Sequence, residues 1–156
     1  MPTSLVAGDM APDFDMAADG GGRVRLADFA GKPLVLYFYP KDDTTGCTNE
    51  AKGFSEQAGA FARAGAAIVG VSKDSVKSHE KFKAKYGLSF PLGSDPDGAV
   101  VEAYGVWVEK SLYGRKYMGI DRSTFLIGAD GKIARVWRKV KVGGHVAEVL
   151  SAVQAL

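Results

Sequence analysis

The chain has one cysteine and two histidines among its 156 residues. A lone thiol excludes any disulfide within the chain. With His79 and His145 far apart in sequence, a structural zinc site also lacks ligands. An excess of one charge is missing too: 20 Lys and Arg face 18 Asp and Glu, a formal net charge of +2. That balance does not argue for nucleic acid or a membrane surface. No apolar run approaches the roughly 18–20 residues of a membrane span. The N-terminal residues lack the basic start and the apolar stretch of about 7–15 residues that mark a signal peptide. A soluble, cytoplasmic protein is expected on these grounds.

What is present suits one globular domain over residues 1–156, with 46% hydrophobic and 24% charged residues. Pro33-Leu-Val-Leu-Tyr-Phe-Tyr-Pro40 is an apolar run between two prolines, which predicts a strand buried on both faces. The period then changes. Ala51, Phe54, Ala58, Phe61 and Ala62 form a stripe that predicts one helix over residues 47–63, stopped by Gly65. Residues 66–71 read as a second buried strand, and residues 75–86 as a charged helix ended by Gly87. A short helix is expected over residues 97–104. Asp130-Gly131 marks the turn of a hairpin between 123–127 and 132–137. The basic cluster Arg135, Arg138, Lys139 and Lys141 alternates with Val136, Trp137, Val140 and Val142, as in a strand with one solvated face. Val146, Val149, Leu150 and Val153 form the inner side of a last helix over 145–156, and Asp19-Gly-Gly-Gly22 suggests a leading hairpin turn. The order is α/β: a mixed sheet flanked by helices, with an N-terminal hairpin extension.

Taken alone, a single cysteine is most simply a small buried hydrophobe. The neighbourhood of Cys47 argues otherwise. It sits between the end of the first buried strand and the start of a helix, where open α/β sheets place their ligands. Unpaired amides and the positive end of the helix dipole there favour a thiolate over a thiol. Pro40, Thr44 and Cys47 stand as Pro-x-x-x-Thr-x-x-Cys. A tight first turn can bring the Thr44 hydroxyl beside the sulfur, and Pro40 makes a stiff wall with no N–H. The same residues also read simply as a helix cap and a strand stop.

The segment Tyr39-Pro-Lys-Asp-Asp-Thr-Thr-Gly-Cys-Thr48 closely resembles the active-site loop of peroxiredoxins. Tyr104-Gly-Val-Trp-Val-Glu-Lys110, Tyr113-Gly-Arg-Lys and Arg122-Ser-Thr-Phe-Leu-Ile127 are similar to the peroxiredoxin Q, or bacterioferritin comigratory protein, branch. The likeness runs from Ala11-Pro-Asp-Phe14 to the last helix. It implies a thioredoxin-like fold, thiol peroxidase activity in antioxidant defence, and no metal or organic cofactor. It makes Cys47 the peroxidatic thiolate. Thr44 would hydrogen-bond the distal peroxide oxygen, Pro40 would shield the sulfur, and Arg122 would neutralise charge at the site. Without the likeness, Arg122 is only an arginine at a strand edge. Glu50 matches a family acid that orients the arginine, and it equally suits a first-turn carboxylate favoured by the dipole. Tyr39 and Trp107 are expected in the core or pocket wall, and Phe38, Tyr39 and Trp107 as apolar walls near the thiol. His79 and His145 read as surface or helix-cap residues.

The resemblance has one departure. Many relatives carry a resolving cysteine at the position of Lys52, others in the following helix, where Lys83 stands. The oxidised thiol is therefore expected to be reduced from outside, by thioredoxin, by glutaredoxin with glutathione, or by a small thiol, in a monomer or weak dimer. A thioredoxin-type oxidoreductase would need a Cys-x-x-Cys pair. A peroxide sensor read by a partner protein would use the same thiol, and a purely structural domain would leave it unreactive.

Overall fold

The computed structural model describes residues 5–156. Its centre is β3 (Leu34–Phe38), all five residues buried. Leu34, Leu36 and Phe38 enter one apolar cluster, while Val35, Tyr37 and the following Tyr39 enter another on the opposite face. That two-sided burial explains the unbroken apolar run between the prolines. β4 (Ala67–Ser72) lies parallel to β3 on one side, with Leu34 opposite Ala67 and Phe38 opposite Val71. β8 (Ser123–Ile127) lies antiparallel on the other, with Phe38 opposite Ser123. With β1 (Asp15–Ala18), β2 (Arg23–Arg25), β5 (Leu92–Ser94) and β9 (Ile133–Trp137), the sheet runs β2-β1-β5-β4-β3-β8-β9. The β3-β4 and β4-β5 pairs are parallel and the others antiparallel, so the sheet is mixed.

One face is covered by α1 (Thr45–Glu56), α2 (Ala58–Arg63), α3 (Val76–Tyr86) and α5 (His145–Gln154), through Ala51, Phe54, Phe61, Phe82, Val149 and Val153. The other face packs against α4 (Ala99–Ala103), Tyr104, Val106 and the segment around Phe14. α3 has both of its predicted ends. Ser75 caps it by accepting the Ser78 N–H, and Gly87 closes it in the left-handed region at φ 63°. The leading hairpin forms as expected, with β1 and β2 joined through residues 19–22.

Four details differ from the sequence reading. The predicted helix over 47–63 is two helices that break at Gln57 (φ −97°, ψ 6°), which leaves Ala62 exposed. β9 stops at Trp137, so Arg138, Lys139 and Lys141 lie beyond the strand. β5 was not expected; its three residues are too few to show a period. Nor was the separate hairpin of β6 (Trp107–Leu112) and β7 (Arg115–Ile120), which is exposed on both sides over most of its length and so lacks an alternating pattern. Among the described residues, no helix is long and apolar enough to cross a membrane.

Candidate active site

Thr44 is the N-cap of α1 in extended backbone (φ −97°, ψ 158°), which puts Cys47 at the third helical position. The first amide taken up by the helical ladder is that of Thr48, on Thr44 O at 2.8 Å. The amides of Thr45, Gly46 and Cys47 precede it and carry the positive end of the helix dipole toward the thiol. Cys47 itself is 1% exposed.

The antiparallel register of β3 and β8 sets Ser123 beside Phe38, so the preceding Arg122 emerges where β3 hands the chain to the loop. Its backbone is held as well, since Arg122 O accepts the Val140 N–H at 3.0 Å. The guanidinium forks. Nη2 donates to Cys47 Sγ at 3.3 Å and Nη1 donates to Glu50 Oε1 at 2.8 Å. A planar fork of fixed donors suits two partners at once. Gly46 makes this approach possible, because a Cβ there would sit 3.1 Å from Nη2. The sequence reading did not single out Gly46.

Glu50, one turn beyond Cys47, is fully buried and Oε2 has no hydrogen-bond partner. Burial pushes its carboxyl up to about 7, against the opposing pull of Arg122. Of the two readings of Glu50, its place fits the arginine-holding one, since it stands past the first helical turn with Arg122 against it. Burial opposes the Arg122 charge, yet Glu50 and Cys47 more than offset it and the guanidinium lies above its usual range. Tyr37 is a second buried group without a partner at its hydroxyl. Burial first, then Glu50 and Cys47, push it well above the usual phenol range, so it stays neutral. Its ring lies over Gly70, where a Cβ would come within 2.9 Å of the phenol.

The Thr44 hydroxyl donates to Lys41 O at 2.9 Å, which leaves its oxygen free to accept. Pro40 is exposed in the bend after β3. Tyr39 is fully buried and donates to Asp42 Oδ1 at 2.5 Å, so it holds the loop rather than lining an opening. Phe38 is fully buried as well. Of the three expected apolar walls, only Trp107 keeps some exposed surface, with Lys73 Nζ 4.1 Å above its ring. At the two positions that the resemblance gives to a second cysteine, Lys52 is exposed and Lys83 pairs with Asp19 at 2.7 Å.

Both histidines overturn the surface reading. His145, the first residue of α5, is buried with Nε2 2.8 Å from Thr124 Oγ1, and burial lowers it to about 4. His79 has no exposed surface and pairs with Asp42 at 2.7 Å. The signal was in the spacing. His79, Phe82 and Tyr86 share one stripe of α3, and His145, Val149 and Val153 share one of α5. A polar ring in an apolar stripe is a buried ring that needs partners.

The AhpC/TSA family pattern matches residues 7–136. A putative peroxiredoxin Bcp of Coxiella burnetii is 53% identical, over 94% of this chain and 97% of that protein. Peroxiredoxin Bcp of Bacillus subtilis is 49% identical, over 97% and 96%. In structure, the chain is similar to the Xanthomonas campestris bacterioferritin comigratory protein, studied for its alkyl peroxide reduction. The TM-score is 0.90 and the identity 47%, over 96% of this chain and 98% of that one. With the thioredoxin-like fold shared along nearly the whole length and about half of the residues in common, the chain belongs to the AhpC/TSA family, as a thiol peroxidase of the peroxiredoxin Bcp, or Q, group.

Proposed function

We propose that Cys47 is the peroxidatic thiolate and that its oxidised form is reduced by a thiol from another molecule. The observation that carries this reading is the 3.3 Å contact from Arg122 to the sulfur, at the third position of α1, with Glu50 holding the other arm of the guanidinium. The sulfur attacks the terminal oxygen of R–O–OH in line. An S–O bond forms, the O–O bond breaks, and the leaving oxygen takes a proton to depart as alcohol or water, leaving a sulfenic acid. Negative charge passes from sulfur to the leaving oxygen during the step. Donors fixed around both atoms then favour the transition state over bound peroxide.

Arg122 and the Cys47 amide are those donors, and Thr44, whose own proton is committed to Lys41, accepts from the peroxide O–H. Pro40 walls the sulfur without adding an N–H. Glu50 and Tyr39 support from behind, one through Arg122 and the other through the loop. The chain's one cysteine requires an external reductant: thioredoxin, glutaredoxin with glutathione, or a small thiol. The alkyl peroxide reduction of the X. campestris relative supports organic hydroperoxides as substrates beside hydrogen peroxide. We place the protein in the cytoplasm as a monomer or weak dimer, in antioxidant defence.

With hydrogen peroxide present, turnover is expected with at least one of these reductants and is expected to vanish in Cys47→Ser. Activity that survives in Cys47→Ser would overturn the reading. One stoichiometric oxidation with no turnover would point to a sensor instead.

A further inference from the structure

We propose that His79 is a positioning residue for Cys47, paired with Asp42 beneath the active-site loop so that the loop enters α1 along one fixed path. The inference rests on Cys47 being the reacting thiol. It starts from a buried charge that the peroxide chemistry does not use.

Both nitrogens of His79 face acceptors. Nε2 lies 2.9 Å from Gly93 O, a carbonyl that can only accept, so Nε2 carries a proton. Nδ1 lies 2.7 Å from Asp42 Oδ2, which also accepts from Ser78 Oγ at 2.8 Å, while Oδ1 accepts from Tyr39. Those oxygens face donors on every side, an arrangement that favours a proton on Nδ1 as well and so the imidazolium form of the ring. Burial works against this charge, but Asp42 outweighs it and His79 lies above the ordinary imidazole range. The titratable groups that face the ring are Asp42 from the loop, Tyr39 from the end of β3 and Asp74 from the turn before α3.

The pair ties three elements to the loop. Gly93 belongs to β5, His79 and Ser78 to α3, and Tyr39 continues β3. The backbone of Asp42 is gripped too, its N–H donating to Asp74 Oδ2 at 2.8 Å. The next residue, Asp43, is held in the left-handed region at φ 57°, a conformation few residues other than glycine adopt. Its carboxylate takes Lys85 at 2.9 Å and Tyr86 at 2.6 Å, from the last turn of the same helix. So α3 clamps two successive loop residues, one at each of its ends, and the chain then passes to Thr44 and the N-terminus of α1. With Lys83 in place of a cysteine, α3 has no disulfide to form with Cys47 and need not release this clamp during turnover.

Two substitutions separate positioning from mere support. In His79→Asn the amide nitrogen stands near the Nδ1 position and can still donate to Asp42. In His79→Gln it stands near Nε2 and donates only to Gly93. The readouts are the rate constant for Cys47 oxidation by hydrogen peroxide and, separately, the rate of thiol alkylation by iodoacetamide. Both variants are checked for native far-UV circular dichroism. His79→Gln is expected to slow both reactions about 10-fold or more, as misplaced reacting atoms do, and His79→Asn to recover most of the loss. A wild-type rate in His79→Gln, or equal loss in the two variants, would overturn the proposal. Should His79→Gln fail to fold, Ser78→Ala removes one donor to the same carboxylate; a slowing of about threefold supports the proposal and an unchanged rate refutes it. If the wild-type protein consumes no peroxide, the peroxidase reading fails, and the alkylation series still decides whether His79 positions the thiol.

Discussion

Two base–carboxylate pairs flank the loop that delivers Cys47, His79–Asp42 buried and Arg122–Glu50 with its arginine partly exposed, and they are built differently. In His79–Asp42 both ring nitrogens and both carboxylate oxygens have partners. In Arg122–Glu50 one carboxylate oxygen has none, and the guanidinium divides itself between Glu50 and the sulfur. A saturated buried network is costly to rearrange and serves as scaffold. An unsaturated one can redistribute charge. Glu50, raised to about 7, changes its charge near neutrality, so its hold on Arg122 changes there too. On the proposed reading, the fixed pair places the sulfur and the adjustable pair tunes it.

The comparison is broken most severely at Arg122. Arg122→Met removes the cation that Cys47 and Glu50 share. The second-order rate constant with hydrogen peroxide is expected to fall about 100-fold or more in stopped-flow oxidation, the scale for losing one fixed donor to developing charge. Arg122→Lys should recover only part, because one ammonium lacks the planar fork that reaches both partners. A fall of less than about threefold in Arg122→Met would mean that the helix amides hold the sulfur anion unaided.

The next effect is on stability. Glu50 has its carboxyl raised from 4.5 to about 7 by burial, so the unfolded chain loses that proton first as pH rises. Between those values the folded state binds more protons than the unfolded state, and stability falls with rising pH. The loss reaches about 3 kcal/mol once pH passes 7, an order-of-magnitude figure. Over nearly the same range His145, lowered to about 4, works in the opposite sense and costs stability as pH falls below 6.5. Glu50→Gln removes the Glu50 slope, so in that variant stability should rise with pH across this range. Urea unfolding at pH 5 and pH 8 measures both. Equal pH slopes in wild type and Glu50→Gln would show that Glu50 is ionised throughout, and the contrast between the two pairs would be lost.

These pairs also mark how far the sequence could be read. β3, β4, the β8-β9 hairpin and the two caps of α3 follow from apolar runs, a turn dipeptide and a Ser–Gly bracket, signals that lie within a few residues of one another. Cys47 and Arg122 are 75 positions apart, and only likeness to peroxiredoxins suggested that they meet. Spacing alone could not, because the meeting depends on the register of β8 against β3. His79 was misread for a related reason. Lys77, Glu80, Lys81 and Lys83 around it give α3 a solvated look, and the partner that makes a buried imidazole tolerable lies 37 residues upstream in the loop. The break falls at Gln57, itself neither glycine nor proline, although Gly53 and Gly59 lie on either side of it.

The finest test of the adjustable pair is a single methyl group. In Gly46→Ala the added Cβ would stand 3.1 Å from Arg122 Nη2, closer than ordinary contact by a few tenths of an ångström. The guanidinium is the end of a flexible side chain and can yield, but in yielding it moves off the sulfur. Alanine is meanwhile the better helix residue, by up to about 1 kcal/mol in a helix interior and less in a first turn. The two effects have opposite signs. Thermal stability should hold or rise slightly while the peroxide rate constant drops about two- to fivefold, the scale of weakening one charged hydrogen bond without losing it. A structural role for Gly46 predicts that stability and rate fall together. Only a glycine kept open for the arginine lets the fold gain while the chemistry loses.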